Sequence, residues 1–161
     1  MAYLLDANVL IQAKNAHYGF SFCPGFWDWV LQENGQGKIF IIPQVLDEIK
    51  KGQDQLKNWC GVNSGLRSTP DASLPASLSS VANWVVGQSY DQNAINTFLN
   101  VADYHIVAHA HAGGHTVVTH EIAVAQTSSK RVKIPEPCKA LGVPFASPFQ
   151  MLEAEGASLI I

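Results

Sequence analysis

Charge is sparse in this chain. Of its 161 residues only 14% are Asp, Glu, Lys or Arg, against 47% apolar. That balance excludes a disordered segment and suits a packed α/β domain. Basic residues are outnumbered, 10 to 13, so nothing attracts nucleic acid in general, and such binding has to come from a local site. Cysteine is scarce as well. Cys23, Cys60 and Cys138 are odd in number, widely spaced and form no C-x-x-C pair. They argue against a disulfide framework or a zinc site and fit free thiols in a reducing compartment. Long hydrophobic runs are missing: the stretch IFII is too short to cross a bilayer. The first residues have neither the basic region nor the apolar run of a secretion signal. The expected location is cytoplasmic, without a membrane. No G-x-G-x-x-G, Walker loop or serine elbow occurs, which sets aside the chemistries those motifs serve.

What is present reads as alternating strands and helices in one domain over residues 1–161. YLL is a short buried strand, followed by a helix that starts near Asn8, a favoured N-cap residue. FWDWVLQ is helical, KIFIIP is a second buried strand stopped by Pro43, and QVLDEIKKG is a helix. The Ser-, Gly-, Pro- and Asn-rich stretch from Cys60 to Ala76 reads as the one long loop. SLSSVANWVVGQ, DQNAINTFL and ADYHIVAHAHAGG are three more helices, with Asp91 capping the second and glycines closing the third. HTVVTHEI is the third strand. KIPEPCKALGVPF is expected to supply a short edge strand limited by its prolines. SPFQMLEAEG is a helix with Ser147 as cap and Pro148 in its first turn. Short apolar strands alternating with helices predict an α/β fold with a mainly parallel sheet covered on both faces.

Four carboxylates stand where such a fold has no structural use for them. Asp6 ends the first apolar run and Glu121 follows the last strong one, so both fall at the carboxyl edge of the sheet, where ligands gather. On QVLDEIKKG, Glu48 lies about 60° from Val45, whereas Asp47 falls near 200° and faces solvent. Asp103 shares a stripe with Ile106, Val107 and Ala110. Singly, each acid has a bland reading as a turn, cap or half-exposed helix residue. Jointly, buried acids repel one another and raise each other's pKa. One or two Mg²⁺ or Mn²⁺ ions would offset that charge, since hard cations prefer oxygen ligands. Such a site activates water and steadies the oxygens of a phosphodiester.

The segments DANVLI, VLDEI, ADYHIVAHA and TVVTHE resemble, in order and spacing, the four-acid signature of PIN-domain nucleases. The resemblance spans nearly the whole chain. AKNAHYGFSFCPGFWDWV and KIPEPCKALGVPF further resemble a branch of bacterial PIN-like proteins with little assigned function. The resemblance implies a three-layer α/β/α sandwich. It also implies metal ligation or water activation by Asp6, Glu48, Asp103 and Glu121, with Asn8 and Thr119 orienting the acids. Many bacterial members are VapC-type toxins that cleave RNA, usually as homodimers neutralised by an antitoxin. That would make this chain a Mg²⁺- or Mn²⁺-dependent ribonuclease with an antitoxin partner. One departure stands out: the family usually has Asp where this chain has Glu121, an arm longer by about 1.5 Å.

Other features have bland readings beside sharper ones. Lys130, Arg131 and Lys133 follow the last acidic strand, where they either guide an RNA backbone or are solvated loop charges. The aromatic set Tyr18, Phe20, Phe22, Phe26, Trp27 and Trp29 reads as core or interface packing rather than base stacking. His105 and His109, spaced i, i+4, read as a pair facing solvent or a subunit. Two rival functions stay open. One is a PIN-like binding module with weak catalysis that acts through a protein partner. The other is a haloacid-dehalogenase-type phosphatase, whose second acid Asn8 cannot supply.

Overall fold

The computed structural model of the protein describes residues 1–124 and 128–160. Its short apolar runs become a four-stranded sheet: β1 (Tyr3–Leu5), β2 (Ile39–Phe40), β3 (Thr116–Val118) and β4 (Phe145–Ala146). The strand order is β2-β1-β3-β4 and every pairing is parallel. Tyr3 lies between Ile39 and Thr116, and Leu5 pairs with Val118. Leu4, Leu5, Val117 and Val118 are almost fully buried, as expected for a sheet sandwiched by helices rather than washed on one face. The architecture is the three-layer α/β/α sandwich with a parallel sheet, PIN-like as the resemblance implies.

Nine α-helices lie among the described residues: α1 (Ala7–Gln12), α2 (Pro24–Gly35), α3 (Pro43–Lys50), α4 (Gln55–Val62), α5 (Leu74–Val86), α6 (Gln92–Leu99), α7 (Ala102–Gly113), α8 (Pro135–Leu141) and α9 (Pro148–Ala154). A π-helix, Ala13–His17, continues α1. The most extensive helix pair is α5 with α7, and α7 also packs on α3, α6 and α8. Helix α7 is therefore a central girder whose first turn carries Asp103.

Three local readings change. Helix α1 begins at Ala7, with Asp6 rather than Asn8 in the N-cap position and no side-chain cap bond. The strand carries its extended backbone through Asp6, so the acid itself is the hinge between strand and helix. The supposed loop from Cys60 holds the end of α4 and a 3-10 turn at Ser64–Leu66. Asp54 caps α4 by accepting from the Lys57 amide at 3.1 Å. In KIPEPCKALGVPF the edge strand appears at its end, in β4, but the prolines open helix α8 instead of merely limiting a strand. Proline suits a first helical turn because its missing N–H is one the turn leaves unpaired anyway. Ser147 makes the expected cap of α9, completed as a capping box with Gln150.

Candidate functional site

The carboxyl ends of β1 and β3 lie side by side, and their register decides what meets there. The Asp6 amide donates to the Val118 carbonyl at 2.9 Å, which brings Asp6 beside Thr119. The Thr119 hydroxyl donates to Asp6 Oδ2 at 3.1 Å and accepts from the Glu121 amide, also at 3.1 Å. Both Asp6 and Thr119 are buried, at 3% and 1% exposure. Asn8, the other residue expected to orient the acids, is exposed and lies on a cleft wall instead.

Burial is the main force on the two central acids. It pushes the Asp6 carboxyl up to about 7, helped by the negative charge of Asp103, while the Thr119 hydroxyl pulls the other way. Asp103 rises to about 6 through burial, then through the charges of Glu121 and Glu48, with Arg131 opposing them. All four acids singled out in the sequence therefore share one electrostatic neighbourhood, with Asp103 at its centre. Glu48 is half-buried and Asp47 exposed, as the helical geometry predicts.

A cleft of about 480 Å³ opens over this neighbourhood. Asp103, Glu48 and Asn8 line one part, Asn93 and Thr97 of α6 another, and Lys130 with Arg131 a third. Phe98, Val101 and Val132 supply apolar walls. Of the three basic residues after β3, Lys130 and Arg131 reach the cleft and Lys133 is not among its lining residues. Lys130 also lies 3.5 Å from Asp91, with both side chains well exposed. Asn93 and Thr97 were missed in the sequence. Their signal was the polar i, i+4 spacing beside the apolar face of DQNAINTFL.

Oxygen-only donors, two of them held near neutral pKa by burial and mutual repulsion, suit a hard divalent cation. The arrangement is nevertheless not a closed ligand shell. Among the described residues, no group of three or more His, Cys, Asp or Glu side chains is gathered closely enough to hold an ion. Glu121 is the acid whose two oxygens are both already bonded. Its Oε1 accepts from Arg131 at 3.0 Å and its Oε2 from the Ile134 amide at 2.9 Å.

The remaining motifs fall mostly into structure. His109 is buried and His105 half-buried, so the pair does not face solvent. Burial lowers the pKa of both. Tyr18 stacks on Phe26 and Phe20 on Trp27, with centroids 4.4 and 4.0 Å apart. Phe26, Trp27 and Trp29 belong to the core, while Phe22 is exposed. The three cysteines are free thiols, and no described helix is long and apolar enough to cross a membrane.

No curated protein matches the chain. A solved structure described as "Crystal structure of VapBC2 from Rickettsia felis bound to a DNA fragment from their promoter" is similar at a TM-score of 0.54 and 17% identity. The match covers 91% of this chain and 98% of that one, and at that identity it speaks for the fold alone. Residues 3–159 match one family model nearly end to end, so the chain belongs to the family described as "Domain of unknown function (DUF4411)".

Proposed function

We propose that this protein is a metal-dependent endoribonuclease, one PIN-like domain acting as the toxin of a bacterial toxin–antitoxin pair. The observation that carries the reading is the pair of buried acids, Asp6 and Asp103, the second on the wall of an open cleft, whose pKa values are raised by burial and by the charge of neighbouring acids. A structural acid in such a place would be paired with a cation or removed from the core. These acids instead lie among other carboxylates, Asp6 at the carboxyl edge of a parallel sheet and Asp103 on the first turn of α7.

Asp6 and Asp103, with Glu48 at the cleft wall, are the residues that would hold Mg²⁺ or Mn²⁺. Such an ion supplies charge stabilisation to a phosphodiester under attack and makes water nucleophilic near neutral pH. The rest of the work falls to the protein's own groups. Thr119 fixes the Asp6 carboxylate by hydrogen bonding to one oxygen. Lys130 and Arg131 offer positive charge to the RNA backbone in a chain that is otherwise acidic. Asn8, Asn93 and Thr97 give the cleft uncharged donors and acceptors for sugar and base groups. The antitoxin partner and the homodimer follow from the resemblance to VapC-type toxins, and the similar solved structure is described as VapBC2; the cytoplasmic location follows from the three free, widely spaced cysteines.

Single-stranded RNA incubated with the purified protein and Mn²⁺ is expected to be cut. Asp6→Asn and Asp103→Asn should each lower the rate at least about 100-fold, in line with losing a charge that acts on the transition state. Equal cleavage by these variants, or by wild type in excess EDTA, would refute the reading.

A second reading is favoured by one observation, the absence of a closed group of three ligands among the described residues. It makes the protein a PIN-like module with weak catalysis that acts through a protein partner. Mn²⁺ titration calorimetry separates the two: heat of binding that Asp103→Asn removes supports the nuclease, and no heat supports the module.

A further inference from the structure

Glu121 is where this chain departs from the four-acid signature of the proteins it resembles, which usually have Asp there, and its surroundings say what the longer side chain does. Both carboxylate oxygens already accept bonds from groups later in the chain: Oε1 from the Arg131 guanidinium at 3.0 Å and Oε2 from the Ile134 amide at 2.9 Å. Its own amide donates to the Thr119 hydroxyl, which in turn donates to Asp6 Oδ2. A hydrogen-bonded chain thus runs from Ile134, just before α8, through Glu121 and Thr119 to the buried acid. Each oxygen keeps a second lone pair, but the two bonds fix where the carboxylate sits, and among the described residues no three acids are gathered closely enough to hold an ion.

We infer that Glu121 is a positioning residue rather than a metal ligand: it ties the segment entering α8 to the end of β3 and holds Arg131 over the cleft for a phosphate of the substrate backbone. The inference rests on the nuclease reading in taking that cleft as the substrate site. Arg131 is 60% exposed, so the ion pair alone adds little stability. Its effect is to choose where the guanidinium sits. A guanidinium held at the cleft wall meets a phosphate without first losing side-chain freedom, and that lowers KM more than it raises kcat.

Three readouts on Glu121→Gln test this, beside Asp103→Asn and Arg131→Ala. Glutamine keeps the size but presents an NH₂ to one of the two donors, so one bond must break, whereas Glu121→Ala, run beside it, removes both acceptors. In metal-free protein, amide hydrogen exchange at Ile134 is expected to quicken about tenfold in Glu121→Ala and to stay unchanged in Arg131→Ala. Mn²⁺ affinity should change less than about threefold in Glu121→Gln, whereas Asp103→Asn should lose at least about tenfold. KM for RNA should rise by about tenfold in both Glu121→Gln and Arg131→Ala, with a smaller change in kcat. A loss of Mn²⁺ affinity in Glu121→Gln as large as in Asp103→Asn would overturn the inference, and so would unaltered exchange at Ile134 in Glu121→Ala. A wild type that neither binds Mn²⁺ nor cuts RNA would refute the nuclease reading. The exchange comparison, which needs neither metal nor RNA, would still decide the role of Glu121.

Discussion

Thr119 connects the two ends of the site with a single hydroxyl, one lone pair taken by the Glu121 amide and the proton given to Asp6. At 1% exposure it has no water to replace either partner. Thr119→Val, close in shape, leaves a buried carboxylate and a half-buried amide each short of one bond, at a cost of about 2–4 kcal/mol. Urea unfolding measures it directly, and a loss under 1 kcal/mol would mean that water has entered, by the usual magnitude of a net hydrogen bond. At this scale the sequence is legible where an acid sits against its element's apolar stripe, as Asp6 and Asp103 do. It is illegible where a side chain's partners lie 10 and 13 residues further on, as those of Glu121 do. Periodicity reports which face a residue is on, not which loop returns to meet it.

Element boundaries follow the same division between local and distant causes. The α9 cap was legible because Ser147, Pro148 and Gln150 carry the whole signal within one turn. The end of α7 was legible too: Gly114 takes φ +68° in the left-handed region, which only glycine enters freely. A Cβ there meets nothing within 4 Å, so Gly114→Ala should cost backbone strain alone, about 1 kcal/mol, read as a lower Tm without a changed cleft. A much larger loss would point to a clash the open surroundings do not contain. Helix α4 was hidden because its eight residues include Asn58 and Gly61, and its cap, Asp54, also holds Lys14 at 2.5 Å, 40 residues away. The prolines of α8 misled because the same residue that excludes a central strand also opens a helix.

For the whole molecule, the buried acids make stability depend on pH. The folded Asp6 carboxyl titrates near 7 against an ordinary 3.8, so between those values the folded state binds more protons than the unfolded one. Stability is then greatest, in this respect, below pH 4 and declines as pH rises through 7. The loss is of order 4 kcal/mol when complete. Metal-free protein should therefore show a Tm that falls from pH 5 to pH 8 relative to Asp6→Asn, with the variant the more stable of the two at pH 8. Mn²⁺ at pH 8 should recover much of the difference in the wild type and none in the variant. Parallel Tm profiles for the two proteins would show that burial of Asp6 costs the fold nothing.

The position of β1 in the middle of the sheet carries a consequence for how the protein is made. One edge of β1 finds its partner at Ile39 and Phe40, but the other waits for Thr116 to Val118. Asp6 and the threonine that steadies it are 113 residues apart. A chain emerging from the ribosome therefore carries, for most of its synthesis, an apolar strand with an open edge and an acid in water with its ordinary pKa. Such an edge favours pairing with the wrong chain and prompt capture by chaperones. It also means that a chain made only in part lacks the bond that steadies Asp6, which forms once Thr119, just after β3, has arrived.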